Sequence, residues 1–133
     1  MADMINLNFD NKKKQGDVGM GVAIGWFASN GYTVSVPLTD SQDYDLVVDN
    51  GTLQKVQVKT TRYQRRYGVY QVSLRTSGGN RSGRDKVKHF DKNSSDLLFV
   101  LAENGNKYLI PTIEIVAKAG IDLNSSYNKY IVI

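Results

Sequence analysis

The chain contains no cysteine and a single histidine, His89, and these absences exclude several kinds of site. Without cysteine it can form neither a disulfide nor a thiolate metal site. A histidine-based zinc site or a Ser-His-Asp triad would depend on His89 alone, which argues against both. We therefore interpret His89 as a surface or loop residue.

Long apolar runs are missing as well. No run approaches the roughly 18 apolar residues of a membrane span, and Met1–Asn8 does not read as a signal peptide. We expect no membrane partner and a cytoplasmic, intracellular location. With two prolines and 41% hydrophobic residues, the 133 residues predict one ordered domain, 1–133.

Positive charge is concentrated in one segment. Between Lys59 and Lys92 there are ten basic and two acidic residues, whereas the rest of the chain has seven basic and eleven acidic ones. Lysine and arginine displace counterions from phosphates, and tyrosines within the segment can pack on sugars or bases. The pattern favours a polyanionic partner, with a solvated basic face as the alternative. The candidate polyanion-binding residues are Lys13, Lys14, Arg62, Arg65, Arg66, Arg75, Arg81, Arg84, Lys86 and Lys88.

The first regular element is a glycine-rich helix. Residues 14–29 predict a helix that stops at Asn30-Gly31, and its four internal glycines indicate close packing. At 100° per residue, one face carries Asp17, Gly21, Ile24 and Ala28. We expect this face to lie against a sheet, so that Asp17 presents its carboxylate from the first turn.

The remaining pattern is mostly strand, which predicts an α/β (α+β) fold. The predicted strands are residues 32–36, 43–49, 53–61, 67–75, 96–101 and 108–110. A short helix is predicted over 112–119. Residues 76–95 read as one long flexible stretch with a helical turn around 86–90. The tail, 129–133, is interpreted as an edge strand or an oligomer contact.

The turn between the second and third strands decides which side chains share a face. Because side chains alternate along a strand, Asp45 joins Gln57 and Lys59 only if it pairs with an odd-numbered residue. A two-residue turn would pair Asp45 with Val56 instead. We therefore predict a three-residue loop over 50–52 with its glycine left-handed, or an equivalent bulge. The resulting pairs are Asp49 with Leu53, Val47 with Lys55 and Asp45 with Gln57.

This cluster suits hydrolysis of a phosphodiester by a hard cation such as Mg²⁺, with Mn²⁺ as a substitute. Oxygen ligands would come from the Asp45 carboxylate, the Gln57 side-chain carbonyl and the Val58 backbone carbonyl. Asp17 would supply a second carboxylate, directly or through water. Lys59 would orient or deprotonate the attacking water and stabilise the transition-state anion.

The same residues resemble the PD-(D/E)xK nuclease superfamily, and within it the small group I intron homing endonucleases of cyanobacterial type. The matching segments are Gly16-Asp17-Val18-Gly19, Gly31-Tyr32-x-Val34, Pro37, Asp45-Leu46-Val47-Val48, Gln57-Val58-Lys59-Thr60 and Tyr108-Leu109-Ile110-Pro111. Three positions depart from the pattern: Tyr44 stands in place of proline, Gln57 in the (D/E) slot, and Asp17 in place of a longer glutamate.

The resemblance implies a restriction-endonuclease-like core, in which helices flank a mixed central sheet and a β-hairpin carries the catalytic residues. It also implies Mg²⁺-dependent cleavage of DNA and assembly into a homodimer or homotetramer. A Holliday junction resolvase of the same fold is the first alternative. A DNA-binding module with weak or lost turnover is the second. Cutting both strands of a duplex is simplest with two chains related by a twofold axis.

Overall fold

The computed structural model describes residues 3–77, 87–88 and 90–133. In chain order its regular elements are α1 (Lys12–Ser29), β1 (Thr33–Ser35), β2 (Leu46–Asp49), β3 (Leu53–Thr61), β4 (Gln64–Arg66), β5 (Val69–Ser73), β6 (Thr76–Ser77), β7 (Val87–Lys88), β8 (Leu97–Ala102), β9 (Lys107–Pro111), a 3₁₀ turn (Thr112–Glu114), β10 (Gly120–Asp122), a second 3₁₀ segment (Ser125–Tyr130) and β11 (Ile131–Val132).

A six-stranded mixed sheet in the order β1-β2-β3-β8-β9-β11 forms the centre of the fold. Strands β3 and β8 are parallel, and the other neighbours are antiparallel. All six side chains of β8 are buried, as the continuous apolar run predicts for a strand covered on both faces. The predicted mixed α/β fold is confirmed.

Helix α1 covers one face of this sheet. Its buried residues are Gly19, Ala23 and Phe27, which recur every four positions, and Ala23 and Phe27 pack with Val56 and Phe99. Asn11 caps the first turn by accepting from the Lys13 N–H. The Trp26 indole N–H donates to the Ile133 carbonyl at 2.9 Å and so links the helix to the end of the chain.

A second, three-stranded sheet in the order β10-β5-β4 covers the opposite face. Tyr70, Val72 and Leu74 point inward, as the alternation over 67–75 predicts, and pack on Leu98 and Val100 of the central sheet. The described residues therefore contain one α-helix against one face and a β-layer against the other. The β-layer forms because the alternating β5 pattern gives that strand an apolar face to pack on the central sheet.

Two helical predictions are wrong. Residues 112–119 form only the 3₁₀ turn Thr112–Glu114 before an irregular segment and β10. Ile113 and Val116 are exposed there, so the segment has no continuous apolar face to support a longer helix. The helical turn predicted over 86–90 lies partly outside the described residues. Of its described residues, Val87–Lys88 form a strand paired with Thr76–Ser77, and Phe90 is in no regular element. The strand pair interrupts the predicted flexible stretch over 76–95.

The predicted orientation of α1 is also wrong. Asp17, Gly21 and Ala28 are exposed, and the side of the helix that meets the sheet is the one that carries Gly19. A Cβ placed on Gly19 would collide with the Cγ2 methyl of Thr60. The absence of a side chain at Gly19 therefore allows the helix to approach β3 closely.

In the described residues, no helix is long and apolar enough to cross a membrane.

Replacement of Gly19 and of Gly21 by alanine should have different effects on stability. Alanine at Gly21 meets no atom within 4 Å, so we expect it to raise the free energy of unfolding by up to about 1 kcal/mol through helix propensity. At Gly19 the new methyl forces Thr60 to move. This movement disturbs the hydrogen bond that the Thr60 hydroxyl accepts from the Gln15 amide at 2.8 Å. We expect Gly19→Ala to be less stable than Gly21→Ala by about 1–3 kcal/mol in urea unfolding. Equal stability would contradict the described packing.

Candidate active site

The β2–β3 hairpin has the predicted three-residue loop. Asp49 pairs with Leu53 and Val47 with Lys55, and Gly51 has a φ of 115°. The Asp49 carboxylate accepts from the Gly51 N–H at 2.8 Å, which stabilises the turn. The first part of the register prediction is therefore confirmed.

The predicted pairing of Asp45 with Gln57 is replaced by a β-bulge. Leu46 is the Cα partner of Val56, yet the Asp45 N–H donates to the carbonyl of that same Val56 at 2.8 Å. Two residues of one chain segment thus oppose one residue of β3, which is the pattern of a bulge. The Asp45 carboxylate then reaches the β3 backbone and accepts from the Val58 N–H at 2.7 Å. It lies beside the segment that carries Gln57 and Lys59.

Gln57 and Lys59 share one face of the central sheet. In the parallel register with β8, Gln57 pairs with Leu98 and Lys59 with Val100, and paired residues point to the same side. Val58 and Phe99 point to the side covered by α1. The structure therefore places the side chains of Asp45, Gln57 and Lys59 and the backbone of Val58 next to one another.

Asp45 and Lys59 are both half-buried, and each changes the protonation of the other. Burial raises the pKa of the Asp45 carboxyl, and the hydrogen bond from Val58 and the charge of Lys59 partly oppose that rise. Burial lowers the pKa of the Lys59 ammonium, and Asp45 partly restores it. In both residues desolvation is the largest influence, so each charge is held in a medium of lower polarity than water.

Gln57 is only 6% exposed, and its side-chain carbonyl oxygen Oε1 is buried without a hydrogen-bond partner among the described residues. A buried acceptor without a donor costs about 1–3 kcal/mol, so an unpaired one at a polar cluster marks a place for a ligand. The Val58 carbonyl lies just beyond Leu46–Val56, the last ladder pair of the hairpin. These oxygens and the Asp45 carboxylate are the donor atoms that a hard divalent cation takes.

Asp17 is not brought to this cluster. Its side chain is exposed, and no group of three or more acidic or histidine residues suited to a metal ion occurs in the described part of the chain. The polar residue that α1 directs to the sheet is Gln15, whose amide donates to Thr60, the neighbour of Lys59. The four-residue recurrence of Gln15, Gly19, Ala23 and Phe27 could have identified this face from the sequence.

The predicted polyanion-binding residues are distributed over several surfaces. Lys13 and Lys14 are exposed in the first turn of α1, and Arg66 and Arg75 are exposed as well. Arg62 forms an ion pair with Glu103 at 3.5 Å, and Arg65 forms one with Asp122 at 3.1 Å. Arg81, Arg84, Lys86 and His89 lie outside the described residues, and only the backbone of Lys88 is described.

The β4–β5 hairpin carries exposed aromatic and basic groups together. Its tip is Tyr67-Gly68, with a Gly68 φ of 80°. The Tyr67 side chain is 100% exposed, and Tyr63 at the base of the hairpin is 60% exposed. Exposed tyrosines beside arginines are suited to contact nucleic acid, since the rings pack on bases or sugars while the cations meet phosphates.

Comparison with known proteins supports the same assignment as the geometry. The solved structure of a bacterial homing endonuclease, I-Ssp6803I, is similar to this chain, with 30% sequence identity and a TM-score of 0.73, and the match covers 90% of this chain and 82% of that one. No curated protein gave a match.

The family described as PD-(D/E)XK endonuclease matches residues 10–128. This match confirms the resemblance that the hairpin residues predict. Nucleases of this type act on DNA and typically use divalent metals. Since the family match spans most of the sequence, the chain belongs to the PD-(D/E)XK endonuclease family.

Proposed function

We propose that the protein is a Mg²⁺-dependent DNA endonuclease of the homing type. The observation that carries the proposal is the bulge that directs the Asp45 carboxylate onto the Val58 N–H, beside a buried Gln57 oxygen that lacks a partner. The similarity to a homing endonuclease over most of the chain supports the same reaction class.

The donor set fits a divalent cation. The residues that would hold it are Asp45 through its carboxylate, Gln57 through Oε1, and Val58 through its backbone carbonyl. A cation bound there supplies positive charge that offsets the phosphate charge and makes a nearby water more acidic. Mg²⁺ suits a site with one carboxylate and neutral oxygens, and Mn²⁺ is the proposed substitute.

Lys59 is the proposed catalytic residue that does not bind the cation. Burial lowers the pKa of its ammonium, which makes the group a better proton-transfer partner than an exposed lysine. The negative charge of Asp45 partly opposes this lowering of the pKa. In this position Lys59 orients the attacking water and, when protonated, stabilises the additional negative charge of the transition state.

DNA is proposed to contact the exposed basic residues that are free to meet phosphates. Arg66 at the β4–β5 hairpin tip, Arg75, and Lys13 and Lys14 on α1 are in this group. Arg62 and Arg65 would have to exchange their carboxylate partners for phosphates, so we assign them a smaller part. The proposed assembly is a homodimer or homotetramer, because cutting both strands of a duplex is simplest with two sites related by a twofold axis.

Replacement of Lys59 or of Asp45 should greatly slow cleavage and leave DNA binding intact. We expect Lys59→Met and Asp45→Asn each to lower the rate of Mg²⁺-dependent cleavage by about 10²-fold or more, since both act on the transition state. The substrates are a linear duplex, a four-way junction and a single strand, and binding is followed by anisotropy. Asp17→Asn tests the helix carboxylate, whose exposure predicts a smaller loss.

The substrate panel also separates the alternatives. Cutting of the junction alone would show a resolvase, and binding without cutting of any substrate by the wild type would show an inactive DNA-binding module. Full cleavage by both the Lys59→Met and Asp45→Asn variants would overturn the proposed site.

A carboxylate at Gln57 should strengthen metal binding. We expect Gln57→Glu to have a lower Tm without metal, because a second buried carboxylate lies near Asp45. Its Tm should rise more with Mg²⁺ than that of the wild type, since carboxylates bind hard cations more tightly than amides. Gln54→Glu is the matched control, because Gln54 lies on β3 but on its other face. The same Mg²⁺-dependent rise in both variants would contradict the assignment.

Asp45 also has a structural role that two substitutions separate. Asparagine keeps an oxygen that accepts from the Val58 N–H, whereas alanine leaves that N–H without its acceptor. We expect Asp45→Ala to be less stable than Asp45→Asn by about 1–3 kcal/mol in urea unfolding. The two variants should be equally inactive in cleavage.

The difference in stability between Asp45→Asn and the wild type should depend on pH, because the pKa of Asp45 is raised. The folded state holds the proton more tightly than the unfolded state, so protonation contributes stability that is fully present below pH 3.8 and is lost as pH rises through the folded pKa. Asp45→Asn cannot titrate. Its stability relative to the wild type should therefore increase with pH above 3.8 and then level off.

A further inference from the structure

A second lysine of β3 lies on the face that carries the proposed catalytic residues. Lys55, Gln57 and Lys59 alternate along the strand, so their side chains leave the same side of the sheet. Lys55 is half-buried, and Val47 is its cross-strand partner.

The ammonium of Lys55 lies over the ring of Tyr44, 5.7 Å from the ring centroid, as in a cation–π contact. Tyr44 directly precedes Asp45 and is itself half-buried. The ring therefore holds the cation next to the start of the bulge. This contact restrains a side chain that would otherwise have several freely rotating bonds.

The backbone of Lys55 is fixed as well. Its N–H donates to the Asp96 carboxylate at 2.8 Å, and its carbonyl accepts from the Asp96 N–H at 2.8 Å. Across the described ranges, the ion pairs with carboxylates are those of Arg62 and Arg65. The Lys55 charge is thus oriented by a neutral ring and is not offset by a carboxylate in an ion pair.

We propose that Lys55, held by Tyr44, binds a phosphate of the DNA backbone other than the phosphate that is cut. The inference rests on the proposed nuclease function of the same face. Four residues of a strand span about 13 Å, so Lys55 and Lys59 are placed to meet different phosphates of the bound DNA. A fixed cation binds a phosphate with a smaller loss of side-chain entropy than a mobile one.

The test is the salt dependence of DNA binding by the full chain. The probe is a labelled random-sequence duplex, with Ca²⁺ in place of Mg²⁺, and anisotropy gives the affinity over a series of salt concentrations. We expect Lys55→Met and Lys55→Gln to reduce the slope of log K against log[salt] by about 0.9, the value for one lost phosphate contact. Lys55→Arg keeps the charge and should retain the wild-type slope.

Lys129 gives a matched control, because its ammonium lies 5.1 Å from the centroid of the Tyr130 ring, in the 3₁₀ segment that precedes edge strand β11. Lys129→Met should leave the slope unchanged. Tyr44→Phe keeps the aromatic face and should behave as the wild type. Tyr44→Leu should weaken binding, but it should change the slope less than Lys55→Met does, because the charge of Lys55 remains.

Three results would overturn the proposal. They are an unchanged slope in both Lys55→Met and Lys55→Gln, the same loss in Lys55→Arg, and an equal loss in Lys129→Met. Circular dichroism of each variant verifies the fold. The two proposals are tested by different measurements. Cleavage rates of the Lys59 and Asp45 variants test the nuclease proposal, whereas the salt dependence of binding, measured without cleavage, tests the Lys55 proposal.

Discussion

Residues 53–56 of β3 pair with β2 and residues 56–61 pair with β8, and these pairings fix the direction of every side chain in the candidate site. Strand β2 binds one edge and β8 the other, so β3 cannot slip by a residue without moving Val56 and Val58 out of the core under α1. Packing on one face thereby positions Gln57 and Lys59 on the other. The apolar side chains on one face of the strand thus fix the position of the polar side chains on its other face.

The bulge at Asp45 interrupts the regular strand pairing and brings the Asp45 carboxylate to the backbone of β3. In a regular ladder the Val58 N–H would meet a backbone carbonyl, and the carboxylate would project from the strand as an ordinary surface group. With the bulge, the carboxylate itself is the acceptor. The hydrogen bond holds the charged carboxylate next to the strand and also gives the Val58 N–H its acceptor. The position of the acid and the stability of the fold therefore depend on the same contact.

Much of this arrangement follows from local sequence patterns. Alternation in residues 53–61, the apolar run that became β8 and the turn residues at Asn50-Gly51 are short-range signals, and each predicts its element correctly. The family motif then identifies the hairpin residues. These features are predictable because backbone geometry and side-chain alternation act over a few neighbouring residues.

The features that sequence missed depend on contacts between distant residues. The side of α1 that meets the sheet is set by the fit of Gly19 against Thr60. The four-residue recurrence with Ala23 and Phe27 marks this side in the sequence, but glycine gives it no hydropathy signal. The segment after Thr112 has moderate helix propensity, but β10 forms because Gly120–Asp122 finds an edge on β5. The partners of Arg62 and Arg65 are likewise remote in sequence, so a charge count could not separate their roles from that of Arg66.

The two edges of the central sheet are short. Strand β1 has three residues and β11 has two, and the indole of Trp26 binds the carbonyl of Ile133 next to the latter. So few free N–H and C=O groups give little template for another strand, which limits uncontrolled edge-to-edge stacking of copies in a crowded cell. At the edges of the central sheet, an association of two copies would therefore depend on side-chain contacts, which can specify one partner and one geometry.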